Sequence, residues 1–419
     1  MNVLHITLYD TDGAGRAAYR LHRGLKQLDI ASKVFVQSKS SDDKTVITTK
    51  KLLGVVSSKL KLSERVDLLP LKLYSKRAKT TFSLQWVPRR ILSDIHYYNP
   101  DVINLHWIGH GFVPIELLKR FNKPLVWTLH DMWAFTGGCH YSQDCDRYEK
   151  NCGQCPQLGS QSDWDLSRWV WERKARSWKN LDLSIVTPSK WLKQCADSSS
   201  LLKQFPVEVI PNGLDVEIYK PINRQLARSI LNLPNDRQLL LFGASYGTND
   251  PRKGFHLLEA ALQKISNLLG DQTPEVVIFG MSEPDPLASV SLKTHYLGKL
   301  KDEVTLALAY SAADVFIAPS LQDNLPNTVM EALACGTPCV AFNIGGMPDL
   351  ISHQQMGYLA KPYEVDDLAQ GIRWVLEDSD RHHNLSQQAR EAVVKSFTLR
   401  QQATAYLSLY YKVTEQLLD

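Results

Sequence analysis

Short runs of apolar, β-branched residues alternate with longer stretches of helical period along almost the whole chain. Val3-Leu4-His5-Ile6-Thr7-Leu8 reads as a strand that ends in a glycine-containing turn. Beyond the turn, Ala14, Ala17, Ala18, Leu21, Leu25 and Leu28 mark one face of a helix. Ser32–Val36, Asp101–Leu105, Leu125–Leu129, Leu183–Val186 and Val207–Ile210 continue the set of strands, with a helical stretch from Pro114 to Arg120 between two of them. A second set comprises Gln238–Gly243, Glu275–Gly280, Asp314–Ala318 and Pro338–Phe342. Helical segments near 253–269, 303–312, 327–334 and 365–377 lie between them.

Strands alternating with helices predict parallel sheets covered on both faces. Two such sets predict an α/β protein of two facing, doubly wound, Rossmann-like domains. Residues 1–211 form the first domain of this reading and 212–397 the second. Pro211-Asn212-Gly213 is the hinge, and a crossover helix over 398–419 packs back on the first domain. Open sheets of this kind bind ligands beyond the carboxyl ends of their strands, so function is to be read from the loops that follow them.

A length of 419 residues suits two domains, and 44% apolar with 22% charged residues excludes a disordered chain. No apolar run approaches the ~20 residues of a membrane helix. The N-terminus has no basic region ahead of an apolar core, which predicts a cytoplasmic protein. The net charge of +4 is too small to suggest nucleic acid as a partner. The charge is unevenly placed, however: residues 50–90 hold eleven Lys and Arg against two acids. Leu53, Val56 and Leu60 share a helical face there. The segment reads either as a dock for an anionic membrane surface, which would make the protein peripheral on the inner face, or as a solvated variable region.

Three loops carry candidate chemistry. Asp12-Gly13-Ala14-Gly15 follows a strand and opens a helix, where bare N–H groups suit an anion; the glycines could equally serve a tight turn. Gly13-x-Gly15-x-x-Ala18 has the form of a dinucleotide fingerprint, but that reading needs a carboxylate at the end of the second strand. Phe35-Val36-Gln37-Ser38 has none, which argues against a nicotinamide enzyme. Asn249-Asp250-Pro251-Arg252-Lys253-Gly254 places two cations at a carboxyl-end loop, a pairing suited to a diphosphate. The third loop, from Pro319 to Pro338, sets Asp323 and Glu331 eight residues apart, with the helix start Asn327-Thr328 between them. Carboxylates accept hydrogen bonds from hydroxyls, as sugars require.

These loops, with Val209-Ile210-Pro211-Asn212-Gly213-Leu214-Asp215, resemble those of the retaining GT-B glycosyltransferases of family GT4, and the resemblance runs over essentially the whole length. The N-terminal half looks like a subgroup acting in surface polysaccharide assembly. It carries Asn104-Leu105-His106-Trp107, Thr128-Leu129-His130-Asp131-Met132-Trp133 and Thr136-Gly137-Gly138-Cys139-His140-Tyr141.

The resemblance implies a nucleotide-diphosphate sugar donor, a saccharide or lipid-linked saccharide acceptor, retention at the anomeric carbon and no cofactor needed for catalysis. It implies Gly13, Gly15, Asn212, Arg252, Lys253, Asp323, Asn327, Thr328 and Glu331 as donor-binding residues. His130, Lys253, Arg252 and Asp323 are implied in catalysis. Glu331 corresponds to the glutamate on the ribose. Asp323 stands where the family has a second glutamate, and Arg252 substitutes for an arginine usually found earlier on its loop. A GT-B epimerase or phosphorylase, or a non-catalytic nucleotide-sugar-binding partner, is the alternative.

Two further patterns stand apart. Trp164, Trp171 and Trp178 repeat every seven residues, which predicts one helix face turned to the core. Cys139, Cys145, Cys152 and Cys155 follow a C-x5-C-x6-C-x2-C spacing. Four thiolates can close a structural zinc site; free thiols or two disulfides are the other readings.

Overall fold

The structure, a computed structural model, describes residues 1–11, 13–48, 64–89, 91–243, 250–269, 273–280 and 292–415. The chain divides into two compact units: Met1–Asn212 with Leu399–Asp419, and Gly213–Thr398.

Unit 1 is built on seven parallel strands, β1 (Asn2–Tyr9), β2 (Ala31–Ser38), β3 (Val46–Thr48), β4 (Val102–Leu105), β5 (Leu125–Thr128), β6 (Leu183–Thr187) and β7 (Val207–Val209). Their order is β3-β2-β1-β4-β5-β6-β7. The strand order reverses between β1 and β4, where His5 pairs in register with Asn104. The central strands are buried on both faces, which is why they read as near-continuous apolar runs.

Helices α1 (Gly13–Gln27), α2 (Leu92–Tyr98), α3 (Leu166–Trp178) and α4 (Lys190–Ser198) belong to this unit. The stretch after Pro114 forms a 3-10 helix, Ile115–Arg120. α1 buries Ala17, Ala18, Leu21 and Leu25, four of the positions its period marks. The C-terminal helix Leu399–Glu415 lies against α1 so closely that a Cβ on Gly24 would stand 2.7 Å from the carbonyl oxygen of Leu399. Its tyrosines reach the sheet: Asn104 donates to Tyr410 Oη at 2.7 Å, and Tyr406 Oη is 2.9 Å from Thr128 Oγ1.

The tryptophan stripe is only partly formed. α3 starts at Leu166, capped by Asp165, which accepts from the Ser167 and Arg168 amides. Trp164 therefore precedes the helix and is 74% exposed, stacked with the Arg168 guanidinium, whereas Trp178 is buried. An N-cap aspartate overrode the seven-residue period.

Unit 2 repeats the plan with β8 (Leu239–Gly243), β9 (Glu275–Phe279), β10 (Thr294–Tyr296), β11 (Val315–Ala318), β12 (Cys339–Phe342) and β13 (Gly357–Ala360). The order is β10-β9-β8-β11-β12-β13, all parallel, with the reversal between β8 and β11. α5 (Arg224–Ile230), α6 (Phe255–Leu269), α7 (Glu303–Ala312) and α8 (Asn327–Ala334) follow in chain order. The helices Val365–Leu376 and Ser379–Ser396 complete the unit. β3, β10 and β13 are short edge strands that hydrophobic patterning did not reveal.

Candidate functional site

In unit 2 the loops after β8 and β11, neighbours at the point where the strand order reverses, interlock. Gly254 has φ +68°, and a Cβ there would stand 1.8 Å from the Pro319 carbonyl oxygen, so only glycine lets the two loops close up. The Leu321 amide donates to the Arg252 carbonyl at 2.7 Å. Asp250 caps the short 3-10 turn Pro251–Lys253 through the Arg252 amide and also accepts from the Arg252 guanidinium at 3.1 Å.

This scaffold converges on Asp323. Lys253 Nζ donates to Asp323 Oδ2 at 2.6 Å, and Arg252 Nη1 lies 3.3 Å from the same oxygen. The Ser320 hydroxyl and the Asn324 amide donate to the carboxylate as well. Arg252 also donates to the Gln322 carbonyl. Burial alone would raise the Asp323 pKa, but Lys253 and then Arg252 outweigh it and hold the carboxyl at about 2. The carboxylate is 9% exposed, while the two cations keep about a quarter of their side-chain surface. From the far side, Gly345, at φ +52°, packs against the Asp323 carbonyl, and the Gly346 amide donates to it.

Glu331 lies in α8 with its side chain buried; Tyr310 Oη of α7 donates to Glu331 Oε2 at 2.9 Å. Asn327 and Thr328 open α8 after Pro326 and are half-buried. The sequence singled out Arg252, Lys253, Asp323 and Glu331. It missed Asp250, Tyr310 and the Gly345-Gly346 buttress, of which only the glycine pair carried a signal.

Unit 1 has its own cluster beyond β1, β4 and β5. Gly15 sits where a Cβ would meet the Tyr9 carbonyl oxygen at 2.1 Å, so α1 can start against β1 only with glycine there. Gly13 has open space around its Cβ position, so the fold of the described chain does not itself require a glycine. Asn212 ends the first stretch of the unit and is buried. His130, just after β5, lines a pocket with His106, Trp107, Gly109, Asp131 and His140.

Asp131 accepts from His140 Nδ1 and from Trp107 Nε1, both at 2.6 Å, and from the Trp133 amide. Burial works against its charge, but His140, the Trp133 amide and Trp107 together outweigh burial and keep Asp131 below the usual carboxylate range. His140 Nε2 lies 2.9 Å from Ser83 Oγ. Burial also lowers His130, to about 4, so its ring is neutral at physiological pH.

Two family models match the chain. The model described as Glycosyltransferase Family 4 covers residues 11–218, and that described as Glycosyl transferases group 1 covers residues 223–392. The chain belongs to the GT4-type glycosyltransferases. Among curated relatives, it is 33% identical over 118 residues to N-acetyl-alpha-D-glucosaminyl L-malate synthase of Bacillus anthracis, covering 28% of this chain and 30% of that one. It is 28% identical over 290 residues to D-inositol 3-phosphate glycosyltransferase of Mycolicibacterium smegmatis, covering 67% and 60%. These alignments span less than two thirds of either relative.

Solved structures share the GT-B fold over nearly the full length. Sucrose-phosphate synthase from Thermosynechococcus elongatus matches with a TM-score of 0.70 at 20% identity, over 99% of this chain and 100% of that one. Anabaena HepE, solved with UDP and glucose, matches at 0.67 and 16%, over 98% and 99%.

Within this GT4-type chain, the four clustered cysteines line one cavity with Thr136, Gly137, Tyr148 and Ser167. Among the described residues, no three His, Cys, Asp or Glu side chains stand together as ligands for a metal ion, and all seven cysteines are free thiols. Thr136 Oγ1 donates to the Cys139 carbonyl at 2.5 Å, and the Leu158 amide donates to the Cys155 carbonyl at 3.1 Å. Burial pushes the Cys152 thiol up to about 12 and Cys155 to about 11, so both are protonated at neutral pH. Of the basic segment, 50–63 and Arg90 lie outside the described residues, including Leu53, Val56 and Leu60. Lys76, Arg77 and Lys79 are exposed. No helix among the described residues is long and apolar enough to cross a membrane.

Proposed function

We propose that this protein transfers a sugar from a nucleotide-diphosphate sugar to a saccharide or lipid-linked saccharide acceptor, with retention at the anomeric carbon. The observation that carries the reading is the Arg252–Lys253 pair held on Asp323 where the strand order of unit 2 reverses, with Glu331 one helix start away. When the anomeric carbon–oxygen bond breaks, negative charge grows on the departing diphosphate. Lys253 and Arg252, preorganised by Asp323 and Asp250, stabilise that charge. Glu331, fixed by Tyr310, accepts hydrogen bonds from the ribose, and Asp323 accepts from hydroxyls of the donor sugar. The acceptor hydroxyl attacks from the face the phosphate leaves; its oxygen forms the new bond to the anomeric carbon, and its proton passes to the departing phosphate oxygen.

The pocket of unit 1 is read as sugar-binding, with His130 as a hydrogen-bonding group. The open space at Gly13 supports a close approach of phosphate or sugar to the start of α1. Lys76, Arg77 and Lys79, beside the exposed Leu73, support docking on an anionic membrane surface.

The test is release of nucleoside diphosphate from a panel of nucleotide sugars, with and without saccharide acceptors. Donors are first ranked by thermal shift, because a bound donor stabilises the fold. Acceptor-dependent release supports transfer. A donor that binds but never turns over would leave a binding protein, and turnover that yields an isomerised donor would identify an epimerase.

A further inference from the structure

Three histidines of unit 1 form a hydrogen-bonded row from the centre of the sheet to the pocket. His5 lies on β1, His106 just after β4 and His130 just after β5. His5 Nδ1 is 3.1 Å from His106 Nε2, and His106 Nδ1 is 3.0 Å from His130 Nε2. The ring centroids are 5.3 Å apart at both steps. His5 and His106 are buried and His130 is half-buried, and desolvation lowers the pKa of each. His22 adds to the lowering at His5, and His5 and His130 add to it at His106. Three neutral imidazoles therefore share the row.

The surrounding groups are engaged elsewhere. Asp131 is satisfied by His140, Trp107 and the Trp133 amide. His22 is paired with Ser32 and Thr45.

A neutral imidazole carries one proton, so the row has only two consistent directions. If the bonds run toward His5, the last proton sits on His5 Nε2. That atom is buried and has no partner among the described residues. If they run toward His130, His5 Nε2 keeps only a lone pair and each ring carries its proton on Nδ1. Orphaned buried N–H groups are rarer than under-satisfied acceptors, so the second direction prevails.

We propose that His5 and His106 are positioning residues that fix His130 as its Nδ1–H tautomer. In that form the pocket meets a sugar oxygen with a hydrogen-bond donor rather than a base. The use made of the donor rests on the sugar-binding reading of the pocket; the tautomer does not. The role fits a ring whose hydrogen bond to His106 runs through Nε2 and which also lines the pocket of unit 1.

The full chain labelled with ¹⁵N-histidine tests the row directly. Long-range proton–nitrogen correlation at neutral pH distinguishes the two tautomers, with single substitutions assigning the signals. The expected result is three neutral rings, each protonated on Nδ1. Protonation of His130 on Nε2, or a charged ring at any of the three, overturns the proposal, whatever the activity. This measurement needs no variant to fold beyond those used for assignment.

The second arm compares His106→Phe with His106→Asn. Phe removes the donor to His130; the Asn amide can stand in for Nδ1–H. His106→Phe is expected to lower kcat about tenfold, the scale of one lost hydrogen bond, and to give His130 mixed tautomers. His106→Asn is expected to recover most of that loss. Equal losses in the two variants refute the direction of the row. Correct tautomers in a protein that transfers no sugar refute the functional reading instead and leave the row standing.

Discussion

Replacing Asp323 by Asn separates two roles of one carboxylate. In the native protein its pKa falls from 3.8 to about 2, because Lys253 and Arg252 outweigh the cost of burying it. A carboxyl lowered on folding stabilises the fold above its unfolded pKa, and that contribution disappears as pH falls through the folded value. At about 1.4 kcal/mol per pH unit, ionised Asp323 contributes ~2 kcal/mol at neutral pH, and about half of that at pH 3.

Asp323→Asn keeps the shape and loses the charge, so chemical denaturation at pH 7 should show a deficit near 2 kcal/mol that narrows steadily between pH 4 and pH 2. For a unit of this size, that corresponds to a fall in Tm of about 4–8 °C. The same substitution removes the anion that faces Lys253 and Arg252. Nucleoside diphosphate should therefore bind at least as tightly as to the native protein, while sugar transfer falls sharply. Calorimetric titration with nucleoside diphosphate, beside the denaturation series, reads both effects. A deficit equal at pH 7 and pH 3 would falsify the electrostatic account of the cluster, and weakened diphosphate binding would show that Asp323 helps the phosphates rather than opposing them.

Other perturbations are expected to behave as follows. Glu331→Ala should weaken donor and free nucleoside diphosphate alike, by about 1.5–3 kcal/mol for a hydrogen bond to a charged group, measured by titration calorimetry; unchanged affinity would remove Glu331 from the ribose. Lys253→Ala should reduce kcat more than it raises KM, since the charge it meets grows toward the transition state. Steady-state kinetics showing only a KM effect would argue against that role. Reversing Lys76, Arg77 and Lys79 to Glu should abolish binding to vesicles containing anionic lipid and leave donor affinity intact; in sedimentation assays native binding should weaken with salt. Equal binding to neutral vesicles would leave the segment a solvated surface.

The central strands and major helices were legible because buried parallel strands read as apolar runs and amphipathic helices keep their period. The edge strands β3, β10 and β13 were not, since each is only three or four residues long and takes its identity from the neighbour it pairs with. Of the site, the cations and acids stood out because charge at a carboxyl-end loop is informative. What positions them was hidden for a physical reason. Tyr310 meets Glu331 across two helices, and His5 meets His106 across two strands with about a hundred residues of chain between them. No local pattern encodes such a meeting. The tryptophan period misled because spacing says nothing about where a cap ends a helix, whereas the cysteine spacing did bring the four thiols around one cavity.

The C-terminal helix gives the molecule an order of assembly. Unit 1 needs residues 399–415 to cover α1 and to supply the tyrosines that bond Asn104 and Thr128. Those residues leave the ribosome only after all of unit 2 has been made. The seven-stranded sheet must therefore wait, with one face covered only in part by α1, while its later neighbour along the chain is synthesised and can already fold. A chain stopped at Thr398 should consequently lose unit 1 and keep unit 2: the damage from a C-terminal truncation falls on the half of the protein that was translated first.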